Sequence, residues 1–233
     1  MIRNSNALRI MALIVAATLF AYTASQADEE VTVPVPLMED LGEQRYRIGE
    51  IIVDKKAGEF SVPGKVLHLN AALEYLAVST DGMKGYESLL ELSTSATNFN
   101  LACILIGLDE KNSVKPRYQF DDRKPEGQAV AITLTWQKDG KTMTVSGANA
   151  MTAGEESFDD DSWVYIGSST LEDGQLFMAD MTGTLIGFVH DPASVIEHIN
   201  GGGIGAYGLL TGDAAVLPQE GAAISLTVSL VRQ

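Results

Sequence analysis

Lys84, Tyr86 and Glu87 stand within four residues of one another in the stretch KGYES, between the apolar runs LEYLAVS and LLELS. An ammonium, a phenol and a carboxylate at that spacing offer an anion partner, a hydrogen-bond donor and a general base or ligand. Asp180 in FMADM or Asp191 in VHDPA could supply the second acidic group that acid–base chemistry usually needs. One reading of the chain is therefore a hydrolase or lyase using Glu87 with Asp180 or Asp191. The other makes the pentad structural: Glu87 satisfies backbone donors of its own turn after Gly82, and Tyr86 covers a sheet edge. The second is preferred, because the pentad holds only one carboxylate.

Residues 155–161, EESFDDD, place five carboxylates close together, and calcium takes six to eight oxygen ligands from such groups. The run lacks the order of an EF-hand loop, so Glu155, Asp159, Asp160 and Asp161 are read as a solvated acidic loop and no metal is assigned. Three histidines are present, His68, His190 and His198. The last two are eight residues apart, too far to share one helical face as a metal pair. His190 beside Asp191 could bind an anion or be held in one tautomer, but Asp191-Pro192 reads first as a helix cap followed by proline at the first helical position. The glycine-rich residues 201–208, GGGIGAYG, lack the Lys-Ser/Thr pair of a phosphate loop and read as loop or close packing. No nucleophile elbow occurs, and no cofactor is assigned.

The chain opens with Arg3 and Arg9, an apolar run over residues 10–22 and the small-x-small sequence Ser25-Gln26-Ala27, the pattern of a secretory signal peptide over residues 1–27. The apolar run is shorter than the roughly 20 residues that span a bilayer. Cleavage after Ala27 would remove two basic residues and no acidic ones, taking the formal charge from −15 to −17, fourteen basic against 31 acidic residues. The expected location is secreted or periplasmic, with no membrane association after cleavage. So acidic a chain opposes phosphate backbones, which excludes nucleic acid as an expected partner. The single cysteine, Cys103 in LACILIGL, permits no intramolecular disulfide and reads as a buried small hydrophobe.

The elements that must position these groups are mostly strands. Residues 28–44 read as an acidic arm carrying Pro34 and Pro36. From Arg45 period-two patterns dominate: residues 51–53 and 60–62 around a turn at 55–59, then 67–77, 89–92, and a clear hairpin of Val130, Ile132, Leu134 and Trp136 against Met143 and Val145 across Asp139-Gly140. Further strands are expected at 163–166, 175–179, 184–189 and 224–230. Phe99, Ala102, Cys103 and Ile106 recur at helical spacing, which predicts a helix over about 96–107, with a second, short one over about 192–199. The first is apolar on most sides, so it is expected to be covered all round, to pack on residues 73–78 and 89–92, and not to tolerate Ile104→Asp. The expected fold is α+β, mainly antiparallel sheet, in one domain over residues 45–233 with a possible seam at 110–128.

The blocks YRIGEIIVDKKAGEFSVPGKV, LEYLAVSTDGMKGYESLLELSTSATNFNLACILIGL, WVYIGSS, LIGFVHDPASVIEH and GIGAYGLL together resemble, in this order, the YdjY-like domain family of bacterial secreted and envelope proteins. The resemblance covers most of the chain from about Arg45. It implies no established activity. Some relatives carry clustered cysteines of ferredoxin type, which suggests an accessory to an envelope redox system; this chain has Cys103 alone. The family's block of Lys, any residue, His or Tyr, Glu, a small residue and Leu falls on Lys84, Gly85, Tyr86, Glu87, Ser88 and Leu89, with tyrosine where a histidine would serve proton transfer better. The leading expectation is an exported binding or interaction module of the cell envelope, with an unidentified protein or small-molecule partner, rather than an enzyme.

Overall fold

The computed structural model describes residues 38–158, 160–171, 174–201 and 208–232. Its strands begin with β1 (Met38–Gly42), β2 (Arg45–Ile48), β3 (Ile51–Asp54), β4 (Glu59–Val66), β5 (Tyr75–Ser79) and β6 (Ser88–Leu92). Helix α1 (Ala96–Leu105) precedes β7 (Gln128–Lys138), β8 (Lys141–Ser146), β9 (Met151–Ala153), β10 (Glu156–Ser157), β11 (Trp163–Tyr165), β12 (Thr170–Leu171) and β13 (Leu176–Phe177). Helix α2 (Met178–Thr182) is followed by β14 (Thr184–Gly187), β15 (Ile196–His198), β16 (Leu210–Gly212) and β17 (Ala223–Leu230). The expected signal peptide lies outside the described residues.

The ladders correct the expected α+β sheet. β4, β17, β7, β11, β15, β14, β5 and β6 pair in that order, and β6 returns to pair with β4, so eight strands close a barrel. The hairpin β1–β2–β3 continues from the first half of β4, and β8 lies beside β7 outside the ring. The ring is mixed, because β5–β6 and β14–β15 pair in parallel while the other neighbours are antiparallel. β7 and β17 alternate, burying Val130, Ile132, Leu134 and Trp136 from one and Ile224, Leu226 and Val228 from the other. β5, β14 and β15 are buried at every residue. That is the pattern of strands covered on both faces, where parallel pairing is usual.

Closure depends on a corner in β4. Its first half pairs with β3 through Glu59, Phe60 and Ser61, whereas Gly64, Lys65 and Val66 pair with β6. Pro63 stands between the two sets and has no N–H to commit to either ladder. At Gly64 a Cβ would come within 2.4 Å of the Glu91 carbonyl oxygen, so only glycine lets the two strands approach this closely.

Helix α1 starts where the sequence places it, with the Ser95 hydroxyl accepting from the Asn98 N–H. It buries Ala96, Phe99, Ala102 and Cys103, and Phe99 meets Phe60 edge to face at 5.2 Å. Its backbone approaches β3, β14 and α2, and Phe99, Ala102 and Cys103 enter the same core as Leu76, Leu90 and Leu92 of the sheet of residues 73–78 and 89–92. Asn100 accepts from the Tyr165 hydroxyl at the end of β11. These partners lie on different sides of the ring, so the helix covers one mouth of the barrel, where β4 begins and β5, β6, β11 and β17 end. The expectation that it is covered all round is wrong: Ile104 is 51% exposed.

Two more expectations are corrected. No helix occupies 192–199; residues 196–198 are β15, because the β-branched Val195 and Ile196 enter a slot between β11 and β14 that offers ladders on both sides. The strand expected at 175–179 is only Leu176–Phe177, after which the chain turns into α2. Nor is the pentad a hairpin connection. With β5 and β6 parallel, residues 80–87 must run back along the outside from the helix-covered mouth to the opposite one.

Candidate functional site

The returning crossover ends at the mouth opposite α1, where β5 and β6 start and β14 and β15 end. Residues 85–87 form a single 3-10 turn that delivers Glu87 to the first residue of β6. Lys84 Nζ lies 2.7 Å from Glu87 Oε1, and 5.8 and 5.9 Å from the ring centres of Tyr75 and Tyr86. The expected backbone partners of Glu87 are thus replaced by the Lys84 ammonium. Ser88 completes the turn, its hydroxyl donating to the Lys84 carbonyl at 2.7 Å.

Glu74 lies immediately before β5, and its main chain is stitched on both sides. Its N–H donates to the Glu87 carbonyl at 2.9 Å, and its carbonyl accepts from Phe188 and Val189 at 2.9 and 3.0 Å. Its Oε2 accepts from Gln119 Nε2 at 2.9 Å. Gln119 also lies 3.2 Å from the Tyr75 hydroxyl, which donates to Asp191 Oδ2 at 2.6 Å. Asp191 Oδ1 accepts from Ala193 N–H at 2.9 Å, so this residue caps a turn and not a helix. The Asp191 N–H in turn donates to Glu197 Oε1 at 3.1 Å. One hydrogen-bonded network therefore joins the loop 110–128, the start of β5 and the β14–β15 connection, and its Glu74 end meets the crossover.

Burial makes this network electrostatically unusual. Glu74 is 3% exposed and its carboxyl is pushed up to about 7, first by desolvation and then by the charge of Glu87, against the opposing pull of Lys84 and Gln119. The Tyr75 phenol is raised by burial and by Asp191. Glu197, fully buried, is raised well above the ordinary carboxylate value by desolvation, and its Oε2 and the Ser194 hydroxyl oxygen have no hydrogen-bond partner among the described residues. Glu74 can thus accept or release a proton near neutrality next to an ion-paired carboxylate.

A second layer backs the network. His190 is buried with Nδ1 2.8 Å from the Asp121 carbonyl and Nε2 3.2 Å from the His198 carbonyl. Asp121 is gripped by Arg117 through Nε and Nη2 at 2.8 and 2.7 Å, which holds its carboxyl well below the usual range. His198 is ringed by Phe158, Trp163 and Phe188, and burial lowers its proton affinity.

The sequence-derived candidates divide. Lys84, Glu87 and Asp191 come to the same mouth, with Tyr86 on its rim and His190 behind it. Asp180 does not: it sits at the helix-covered mouth, where its carboxylate accepts from the N–H and hydroxyl of Thr97. Of the acidic run, Glu155 and Glu156 are exposed and Asp159 lies outside the described residues. Asp160 accepts from Ser162 and Asn200, and Asp161 from Ala148 N–H and the Trp163 indole. Among the described residues no group of three or more His, Cys, Asp or Glu is placed to hold a metal ion. Glu74, Tyr75, Gln119 and Glu197 were not among the candidates. The available signal was a carboxylate inside an apolar run, in LEYLAV and again in VIEHI.

These features define a closed, mixed β-barrel, covered by a helix at one mouth and carrying a buried carboxyl–tyrosine network at the other. The chain belongs to the YdjY domain family, whose model matches residues 51–229, from the start of β3 to near the end of β17. No curated protein and no solved structure matches the chain.

Proposed function

We propose that the protein is an exported binding module of the bacterial cell envelope, secreted or periplasmic, whose binding face is the network-bearing mouth of the barrel. The observation that carries this reading is the pair of tyrosines beside that mouth, Tyr86 on the crossover at 65% exposure and Tyr118 on the 110–128 loop at 57%. Each has a cation near its ring, Lys84 at 5.9 Å and Arg117 at 5.3 Å. Tyrosine and arginine are the anchors most enriched where proteins meet partners, and a pre-formed polar network behind them costs little ordering on binding. The partner is a protein or a small ligand. A photo-crosslinking residue placed at 86 or at 118 in cells is expected to form a discrete adduct, and the same residue at Met143 on β8 is not. Equal labelling at all three positions, or none, would refute the assignment.

A second reading, a hydrolase or lyase, is favoured by the proton-accepting character of Glu74 between Glu87 and Asp191. Glu74 would then take the part that the sequence offered to Asp180. Against it, Glu74 and Glu87 are both almost fully covered, at 3% and 6% exposure, and a reacting atom must reach a catalytic carboxyl within hydrogen-bond distance. A redox accessory role draws no support from Cys103, whose thiol is fully buried and raised by that burial.

A further inference from the structure

The crossover that carries Tyr86 is held at its end by few bonds. Among the described residues, the Glu74 N–H to Glu87 carbonyl bond ties residues 84–87 to the start of β5, whereas the bonds of the Glu87 N–H and the Ser88 hydroxyl to the Lys84 carbonyl, of the Ser88 N–H to the Gly85 carbonyl and of the Lys84 ammonium to the Glu87 carboxylate are internal to the turn. The Glu74 side chain faces this turn. Charged and titratable groups act on Glu74 from each neighbouring element: Glu87 and Lys84 from the crossover, Asp191 from the β14–β15 connection and Tyr75 from β5; Glu197 of β15 reaches Asp191 and not Glu74. The loop 110–128 contributes the neutral Gln119, while Arg117 and Asp121, which flank it in the sequence, are paired to each other.

We infer that Glu74 is a proton-operated latch on the Tyr86 rim: protonated, it lets residues 84–87 close against the start of β5, and ionised, it drives that turn outward. The reason is charge count at the mouth. With the proton in place, the Lys84 ammonium balances Glu87 and the Glu74 side chain adds no charge. Without it, Glu74 and Glu87 compete for one ammonium in a place where water is scarce and like charges interact strongly. Relief comes by moving the element held by fewest bonds, which is the 3-10 turn and not β5. Burial, together with Glu87, places the change close to neutral pH. The inference rests on the reading above only in taking the Tyr86 rim as the binding face; it then assigns that face a regulator, proton concentration.

Amide hydrogen exchange of the full chain tests it, with protection at Glu74, Glu87 and Ser88 measured at pH 5.5 and pH 8 and corrected for the intrinsic pH dependence of exchange. Wild type is expected to lose about ten-fold in protection at these amides, the equivalent of about one unit of differential proton affinity. Amides in β7 and β17 should keep theirs. Glu74→Gln is expected to hold pH 5.5 protection at pH 8. Glu87→Gln, which keeps an acceptor for Lys84 but removes the competing charge, should move the change to lower pH in wild-type Glu74 background. No loss in wild type, or an undiminished loss in Glu74→Gln, would overturn the inference; if Glu74→Gln folds poorly, an unmoved midpoint in Glu87→Gln does the same. The exchange readout needs no ligand, so it passes or fails independently of crosslinking at 86 and 118.

Discussion

Replacing Glu74 by glutamine should make the protein more stable at pH 8 while leaving it nearly unchanged at pH 4. The Glu74 carboxyl is pushed from an ordinary value near 4.5 up to about 7 by burial and by Glu87. A folded-state value raised above the unfolded one means that the native state holds the proton more tightly. Its contribution is fully present below pH 4.5 and is lost as pH rises through about 7. The full shift at 1.36 kcal/mol per unit sets a ceiling of about 3 kcal/mol. The Lys84 head beside it is partly solvated, and screening there reduces the working figure to about 1–2 kcal/mol. Glutamine resembles the protonated acid in shape, and its carbonyl oxygen can still accept from Gln119. Urea unfolding at pH 4, 5, 6, 7 and 8 should therefore show wild type and variant together at pH 4, with the variant ahead by about 1–2 kcal/mol at pH 8. Taking the difference between the two proteins at each pH cancels His198, whose lowered value acts oppositely, adding stability that is lost as pH falls below the ordinary histidine value of 6.5. A variant that trails wild type by the same margin at every pH would show that the Glu74 proton does not couple to folding, and the electrostatic account of the mouth would fail.

Two other substitutions probe the scaffold. Ile104→Asp, on the outer face of α1, should express and change stability by only about 0.5 kcal/mol in thermal or urea melts, the ordinary range for an exposed site; an unfolded variant would mean that this face is covered. Gly187→Ala should destabilise by about 1–3 kcal/mol, because its Cβ would lie 2.5 Å from both Glu197 Oε1 and Ser194 Oγ, and a melt matching wild type would show that this packing relaxes freely.

What the sequence made legible follows burial geometry. β7 and β17 each have a covered and a wetter face, so alternation announced them, and Asp139-Gly140 announced the turn from β7 into β8, which is exposed or half-buried throughout. β5, β6, β14 and β15 are covered on both faces, so LAV, LLEL and TLIG carry no period from which direction or pairing could be read. The two parallel pairs, and with them ring closure, were hidden for that reason. The apolar surround of α1 misled in the opposite sense: a helix across a barrel mouth meets strands with one face only, and Ile104 is simply left outside. Three residues of the site were accessible as residue types, Lys84, Glu87 and Asp191. Of the rest, Glu74 and Tyr75 lay in an expected strand, Glu197 in the expected helix over 192–199 and Gln119 in a polar connection; Glu74 and Glu197 each interrupt an apolar run. Their meeting depends on a crossover reversing direction, a fact of topology that local spacing does not encode.

The place of β17 in the ring has a consequence for how the chain is made. It follows all the other described strands in sequence, yet it lies between β4 and β7, two strands synthesised long before it. Until residues 223–230 exist, those two strands face each other with unmatched edges and the circle cannot be completed. Synthesis alone therefore cannot lock the molecule progressively from its beginning; locking is a final, long-range event, the kind that loop-closure entropy makes slow. The cost is a period in which two bare edges invite self-association, and a chaperone that shields them would act on β4 and β7.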